Sequence, residues 1–180
     1  MKPKNPELQS GRSAKLLLPT SRTTDRIGWP WDLREWVSQD RLFNWIEYEI
    51  GLLDWQNPKL VAYLRAHPDY RPRVLLTLLT YGYATGVYGA EDIAEQCYAD
   101  ATFRRLCEQH PPSASSIIAF RRENRGLLRW CLTQVLRRAL KEKYALDDGL
   151  MPPGLRKAIA DAAVTRLDLA RHLDRSVFGG

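Results

Sequence analysis

The chain has 180 residues, enough to bury one sizeable core and too few for two ordinary domains, so one domain with tails is expected. A formal net charge of +6 and a pI near 9.4 point to an anionic partner, and nucleic acid is the commonest one for a basic domain. Cys97, Cys107 and Cys131 form no CxxC pair, no apolar run is long enough to cross a bilayer, and the start MKPKNPELQSGR has no apolar signal core; this argues against a disulfide framework, a zinc site and a membrane partner, and for reduced thiols in the cytoplasm.

Residues 1–28 are polar, carry Pro3, Pro6 and Pro19, and scatter Lys2, Lys4, Arg12, Lys15, Arg22 and Arg26 along a stretch with little to bury. They read as an extended basic arm, for which two roles stand open: a solubilising tail, or a strand that follows a phosphate backbone or enters a minor groove. Trp29, Pro30 and Trp31 add apolar bulk that would pin the arm to the body. Residues 29–145 then show helical spacing, which predicts a compact all-α domain. A short segment from Asp32 to Val37 is followed by a break at Ser38 to Asp40 and an amphipathic helix carrying Leu42, Phe43, Ile46, Ile50 and Leu53. Trp36, Trp45 and Trp55 suit packing better than a stacking platform for bases. Asn57 and Pro58 restart the chain, Leu60, Val61 and Leu64 mark a further short helix, and His67-Pro68 marks a turn.

Arg71 to Thr85 is the expected central helix, because Val74, Leu75, Leu76, Leu78 and Leu79 are apolar nearly all round and Tyr81 and Tyr83 extend it. Gly82 and Gly86 allow close approach of neighbouring backbone, and Gly89 suits a left-handed turn. Two short helices, Ala90 to Cys97 and Ala101 to Gln109, follow around the corner Tyr98-Ala99-Asp100. Pro111 and Pro112 cannot continue the second of these, since proline lacks the amide donor and crowds the preceding turn. Ser113 can cap a new helix at once, with Ser115 and Ser116 near its first turn, and Ile117, Phe120, Leu127 and Cys131 recur as a buried stripe up to the basic end at Lys143.

A short helix, a tight break and a second helix with hydroxyls at its start and arginines along it is the layout of a helix-turn-helix. Many proline-broken helix pairs share that layout without binding anything. If the second helix enters a major groove, Ser113, Ser115 and Ser116 donate to phosphates together with the free amides of the first turn. Arg121, Arg122, Arg125 and Arg129 are then phosphate clamps or bidentate partners of guanine; a solvated helix face is the other account of the same arginines.

Residues 146–180 read as a loop and a carboxyl-terminal helix. Asp147 and Asp148 lie in the loop from Ala145 to Pro153 and suit a turn or cap. Gly154 to Leu173 is amphipathic through Leu155, Ile159, Ala162, Ala163, Leu167 and Ala170, with Arg156, Lys157, Arg166 and Arg171 on the opposite face; it would pack on the core or pair with a second subunit. His67, His110 and His172 are too scattered to bind a metal, and neither a nucleophile–base pair nor a phosphate-cradling glycine loop is present. No cofactor and no stand-alone catalysis are expected.

The run YRPRVLLTLLTYGYATGVYGAEDIAEQCYADATFRRLCEQHPPSASSIIAFRREN resembles the amino-terminal domain of bacterial insertion-sequence transposases whose catalytic domain carries an acidic DDE triad. The features in register are the Pro and Leu-rich helix closing on Tyr81, Gly82, Tyr83 and Gly86, the acidic-start helix to Cys97, the pair Phe103-Arg104 and the Pro-Ser-Ile-Phe-Arg opening. The likeness reaches back over Leu33 to Trp55 through Asp40, Arg41 and Leu42, and covers most of residues 30–145. It implies binding of double-stranded DNA as the end-recognition part of a split, truncated or domesticated transposase, acting in transposition or, as a domesticated remnant, on transcription. Ile118 and Ala119 depart from the family's polar or basic residues and leave fewer groups to read bases, so affinity through charge is better founded than sequence readout. The strand-rich catalytic domain that follows in the family is not found after Tyr144. A protein-interaction module that assembles with a separate catalytic subunit or with itself, and a degenerate product without a role, are the other readings.

Overall fold

The apolar spacing that starts at Asp32 becomes helix throughout. The structure, a computed structural model, describes residues 27–66, 71–147, 149 and 151–178. The basic arm up to residue 26, the His67-Pro68 turn and Asp148 lie outside the described residues. A 3₁₀ turn, Leu33–Glu35, precedes α1 (Gln39–Gly51), α2 (Pro58–Ala66), α3 (Pro72–Ala84), α4 (Ala90–Ala99), α5 (Ala101–Leu106), α6 (Ala114–Glu123), α7 (Arg125–Tyr144) and α8 (Pro153–Phe178).

The central helix is α3, as its all-round apolarity predicts. Leu75, Leu76, Leu78, Leu79, Tyr81 and Tyr83 are buried, and the helix packs against α1, α5, α6, α7 and α8. Trp29, Trp36, Trp45 and Trp55 pack on the edge of this core, so the tryptophans among them behave as packing residues. The starts of the helices follow local chemistry. Ser38 accepts from the amide of Arg41, Asp100 from those of Thr102 and Phe103, and Ser113 from that of Ser116, each satisfying a donor that the first turn leaves without an intrahelical partner.

Four expectations need correction. The second short helix stops at Leu106 instead of Gln109, because Glu108 and Gln109 take left-handed φ values of 51° and 64° and turn the chain before the prolines. The glycine that takes the left-handed conformation is Gly86 (φ 85°), packed on the carbonyl of Trp31, whereas Gly89 has φ −64° and caps α4. Gly82 does serve close approach: a Cβ there would lie 3.1 Å from the carbonyl oxygen of Val87. The helix after Ser113 is interrupted at Asn124, whose side-chain amide donates to the carbonyl of Phe120 at 3.1 Å and competes with the helical pattern. The buried stripe also runs differently, through Leu128, which is fully buried, with Leu127 only half-buried beside it.

The fourth correction concerns Arg166, expected on the polar face of the last helix and found 2 % exposed. Helix α8 packs its apolar face, Leu155, Ile159, Ala163, Leu167 and Ala170, onto α7. This turns Arg166 inward, where its guanidinium donates to the carbonyls of Trp31 and Tyr83 at 2.7 Å, to that of Pro30, and to the Tyr88 hydroxyl at 3.1 Å. Burial pulls its pKa down, offset by Tyr88, but a guanidinium keeps its charge, and the acceptors replace water around it. The pinning of Trp29 to Trp31 to the body is thus made by backbone carbonyls and a buried cation, while the indole of Trp31 stays 59 % exposed.

Removing that cation leaves several buried acceptors without a donor, so Arg166→Met should cost about 3 kcal/mol or more in urea unfolding. Arg156→Met, exposed on the same helix, should change stability by less than about 0.5 kcal/mol. The three cysteines are free and buried. Burial raises the thiols of Cys97, which also faces Cys107, and of Cys131 from 9.0 to about 12, and raises the Tyr83 phenol from 10.0 to about 12 against the pull of Arg121. Folded pKa values above the unfolded ones contribute stability that is complete below pH 9 and lost as pH rises toward 12. Urea midpoints should fall progressively over that window, and an aromatic disulfide reagent at neutral pH should label the thiols only after unfolding.

Candidate nucleic-acid interface

The sequence places four arginines between residues 121 and 129, and the fold separates them. Helix α6 buries Ile117 and Phe120 against its neighbours, and it packs on α3, α4 and α7. A helix advances about 100° per residue, so Arg121 and Arg122 cannot share one environment. Arg121 falls on the packed side and is 5 % exposed; Arg122 falls outside and is exposed. The Arg121 guanidinium donates to the Tyr83 hydroxyl at 2.9 Å and the Tyr88 carbonyl at 3.2 Å, and forms an ion pair with Asp174 of α8. It is committed within the fold.

The serines divide in the same way. Ser116 is 3 % exposed and its hydroxyl lies 2.6 Å from that of Ser113, which also caps the helix. Ser115 is exposed, 2.9 Å from the same hydroxyl. The solvent side of α6 is a strip of Ser115, half-buried Ile118 and Ala119, and Arg122. Ser115 and Arg122 lie at opposite ends of that strip, about 10 Å apart along the axis. The connection from α5 to α6 spans residues 107–113, longer than the tight break read from the prolines.

Beyond Arg122 the strip runs into a cleft of about 490 Å³ between α6, the first turn of α7 and the carboxyl-terminal end of α8. Ile118, Arg121, Arg122, Arg125, Arg171, Asp174 and Arg175 line it. Asp168 serves two of these arginines: its Oδ1 accepts from Arg125 at 2.9 Å and lies 3.5 Å from Arg171. Among the described residues neither Arg122 nor Arg175 has an acidic partner. Five arginines against Asp168 and Asp174 leave three positive charges around one concave surface. Such a surface concentrates field lines and attracts anions. Arg129 is exposed one turn further along α7 and outside the lining of the cleft.

Of the predicted contact residues, the fold brings Arg122 and Arg125 to the cleft mouth beside the α6 strip, leaves Ser113 and Ser115 at the far end, and buries Arg121 and Ser116. Sequence reasoning missed Arg175, Asp168 and Asp174. The i,i+4 pair Arg171 and Arg175 was a usable signal, since such residues share a helix face. Among the described residues no group of three or more His, Cys, Asp or Glu could hold a metal ion, and no helix is long and apolar enough to cross a membrane.

No curated protein and no solved structure matches the chain. A family model described as Transposase domain (DUF772) matches residues 32–123, from the cap of the 3₁₀ turn to the last residue of α6, just over half of the chain. With the helical fold and the register of its motifs, this match shows that the chain belongs to the transposase domain family DUF772.

Proposed function

We propose that this chain binds double-stranded DNA as the end-recognition component of a transposition system, split, truncated or domesticated, with α6 as the helix that enters the groove. The observation that carries the reading is the α6 strip, whose solvent side leads from Ser115 through Ala119 to Arg122 and on to Arg125 at the mouth of an arginine-lined cleft. Membership of a transposase family supports it, as does the net charge of +6. Ser113 and Ser115, with the amides of the first turn, are the phosphate donors at the start of α6. Arg122, Arg125 and Arg129 supply charge along the edge, and counterion release from the duplex supplies most of the affinity. Ile118 and Ala119 present no hydrogen-bonding group at the centre of the strip, so base discrimination falls to Ser115 and Arg122. Arg121 acts indirectly, by fixing α6 against α8.

A second reading, assembly with a catalytic subunit or a second copy, is favoured by Tyr48 and Leu52 of α1 and its cap, 56 % and 60 % exposed and one turn apart. The two readings separate in a titration of the purified chain against random duplex and against duplexes carrying the sequences that flank its reading frame, repeated across a salt series. The DNA reading expects the flanks to bind at least ~10³-fold tighter than random sequence. It expects Arg122→Ala with Arg125→Ala to weaken binding and to make the salt slope shallower by about 2. Unchanged affinity and slope in that double variant would sink the assignment of this face.

A further inference from the structure

Resting on that reading, the geometry points to the carboxyl-terminal end of α8, outside the residues that the family model matches, as part of the same DNA interface. Arg171 and Arg175 grip the phosphodiester backbone of the duplex whose groove α6 enters, and Asp168 is the internal counter-ion that sets how tightly.

Three features of the cleft carry this. First, Arg171 and Arg175 stand one turn apart on α8 and share the cleft with Arg122 and Arg125, so cations from two sides face one concavity. A duplex presents its phosphates as a raised, regularly spaced ridge, and a groove with guanidinium groups on both walls fits a ridge better than a flat helix face does. Planar guanidinium forks match phosphate oxygens in bidentate geometry, which is the chemistry that selects phosphate over other anions. Ile118 adds an apolar patch that suits a deoxyribose.

Second, the two acids that pair with the arginines of the cleft differ in commitment. Asp174 has its side chain 11 % exposed, pairs with buried Arg121 and accepts from the amide of Ala90 at 3.1 Å; it belongs to the scaffold. Asp168 is 45 % exposed and divides one oxygen between Arg125 and Arg171, themselves 40 % and 56 % exposed. Ion pairs this open to water contribute little to stability, so an arriving phosphate can take over both arginines from Asp168 without disturbing the fold.

Third, Arg122 and Arg175 have no acidic partner among the described residues, and Glu123 is the one further acid at this end of α6. The cleft therefore keeps unsatisfied positive charge even with Asp168 in place, and the carboxylate of Asp168 attenuates that charge without cancelling it.

The test uses the whole chain and a random-sequence duplex, titrated across a salt series. Arg171→Gln with Arg175→Gln should weaken binding alike for every sequence and make the salt slope shallower by about 2, with the melting temperature kept near that of the parent. Asp168→Asn should tighten binding severalfold, an outcome that no folding defect can imitate. If the α8 variant keeps its slope and Asp168→Asn fails to tighten, while Arg122→Ala with Arg125→Ala still weakens binding, α8 is outside the interface and the DNA reading stands. If none of the three variants changes affinity or slope, the DNA reading itself falls, and this inference with it.

Discussion

The ion pair between Arg121 and Asp174 is the contact on which the arginine cleft depends. It closes the carboxyl-terminal end of α8 against α6, and Asp174 also accepts from the first amide of α4, so one carboxylate joins three helices. A buried pair of this kind is a poor source of net stability, because taking both charges out of water costs about as much as their attraction returns. Its effect is on position. With α8 anywhere else, Arg121 would sit uncompensated beside the Tyr83 ring, so only arrangements that deliver Asp174 are tolerated. Arg166 works in the same way further back along α8, where carbonyls of the Trp29 to Trp31 segment and of α3 replace an acid. Two cations that look misplaced in the core are thus what fixes the last helix, and the exposed cations of that helix follow from where it lies.

The division between Arg121 and Arg122 shows how one dipeptide serves two ends. Helical geometry turns the first toward Tyr83 and Tyr88 and the second toward solvent. Arg125 then falls at the start of α7, just after the interruption at Asn124. There it reaches Asp168 on α8. Arg125 thereby makes the first turn of α7 the third wall of the cleft.

Most of the helical framework was legible in the sequence. The central helix announced itself by apolar residues on every side, and Ser38, Asp100 and Ser113 marked helix starts by a chemistry that acts within three residues. What stayed hidden was decided at long range or by small local margins. Arg166 finds its acceptors 78 to 136 residues away; its spacing from Ile159, Ala163 and Ala170 puts it on the buried face, but nothing near it in the chain says what it meets there. Arg121 needs an acid from the last turns of α8. Gly86 and Gly89 are equally free to turn left, and the packing of the chain on the Trp31 carbonyl selects Gly86. The early end of α5 rests on Glu108 and Gln109 accepting a left-handed backbone, which no pattern of apolar spacing records.

The family match stops at the end of α6, yet the folding unit does not. Helix α3 lies against α7 and α8 as well as α1, and Leu128, Cys131, Leu132, Val135, Leu136 and Leu140 of α7 belong to the same core. Without them the α3 side chains that make it the central helix would face water on one side, at roughly 25 cal/mol for each Å² uncovered. The same holds for charge. Arg121 lies within the matched residues and Asp174 outside them, so the matched part taken alone would hold a buried guanidinium without its counter-ion. A stretch that is recognisable as sequence can thus be shorter than the unit that folds. In this chain the unmatched helices complete the core, neutralise its buried charge and supply the other two walls of the cleft.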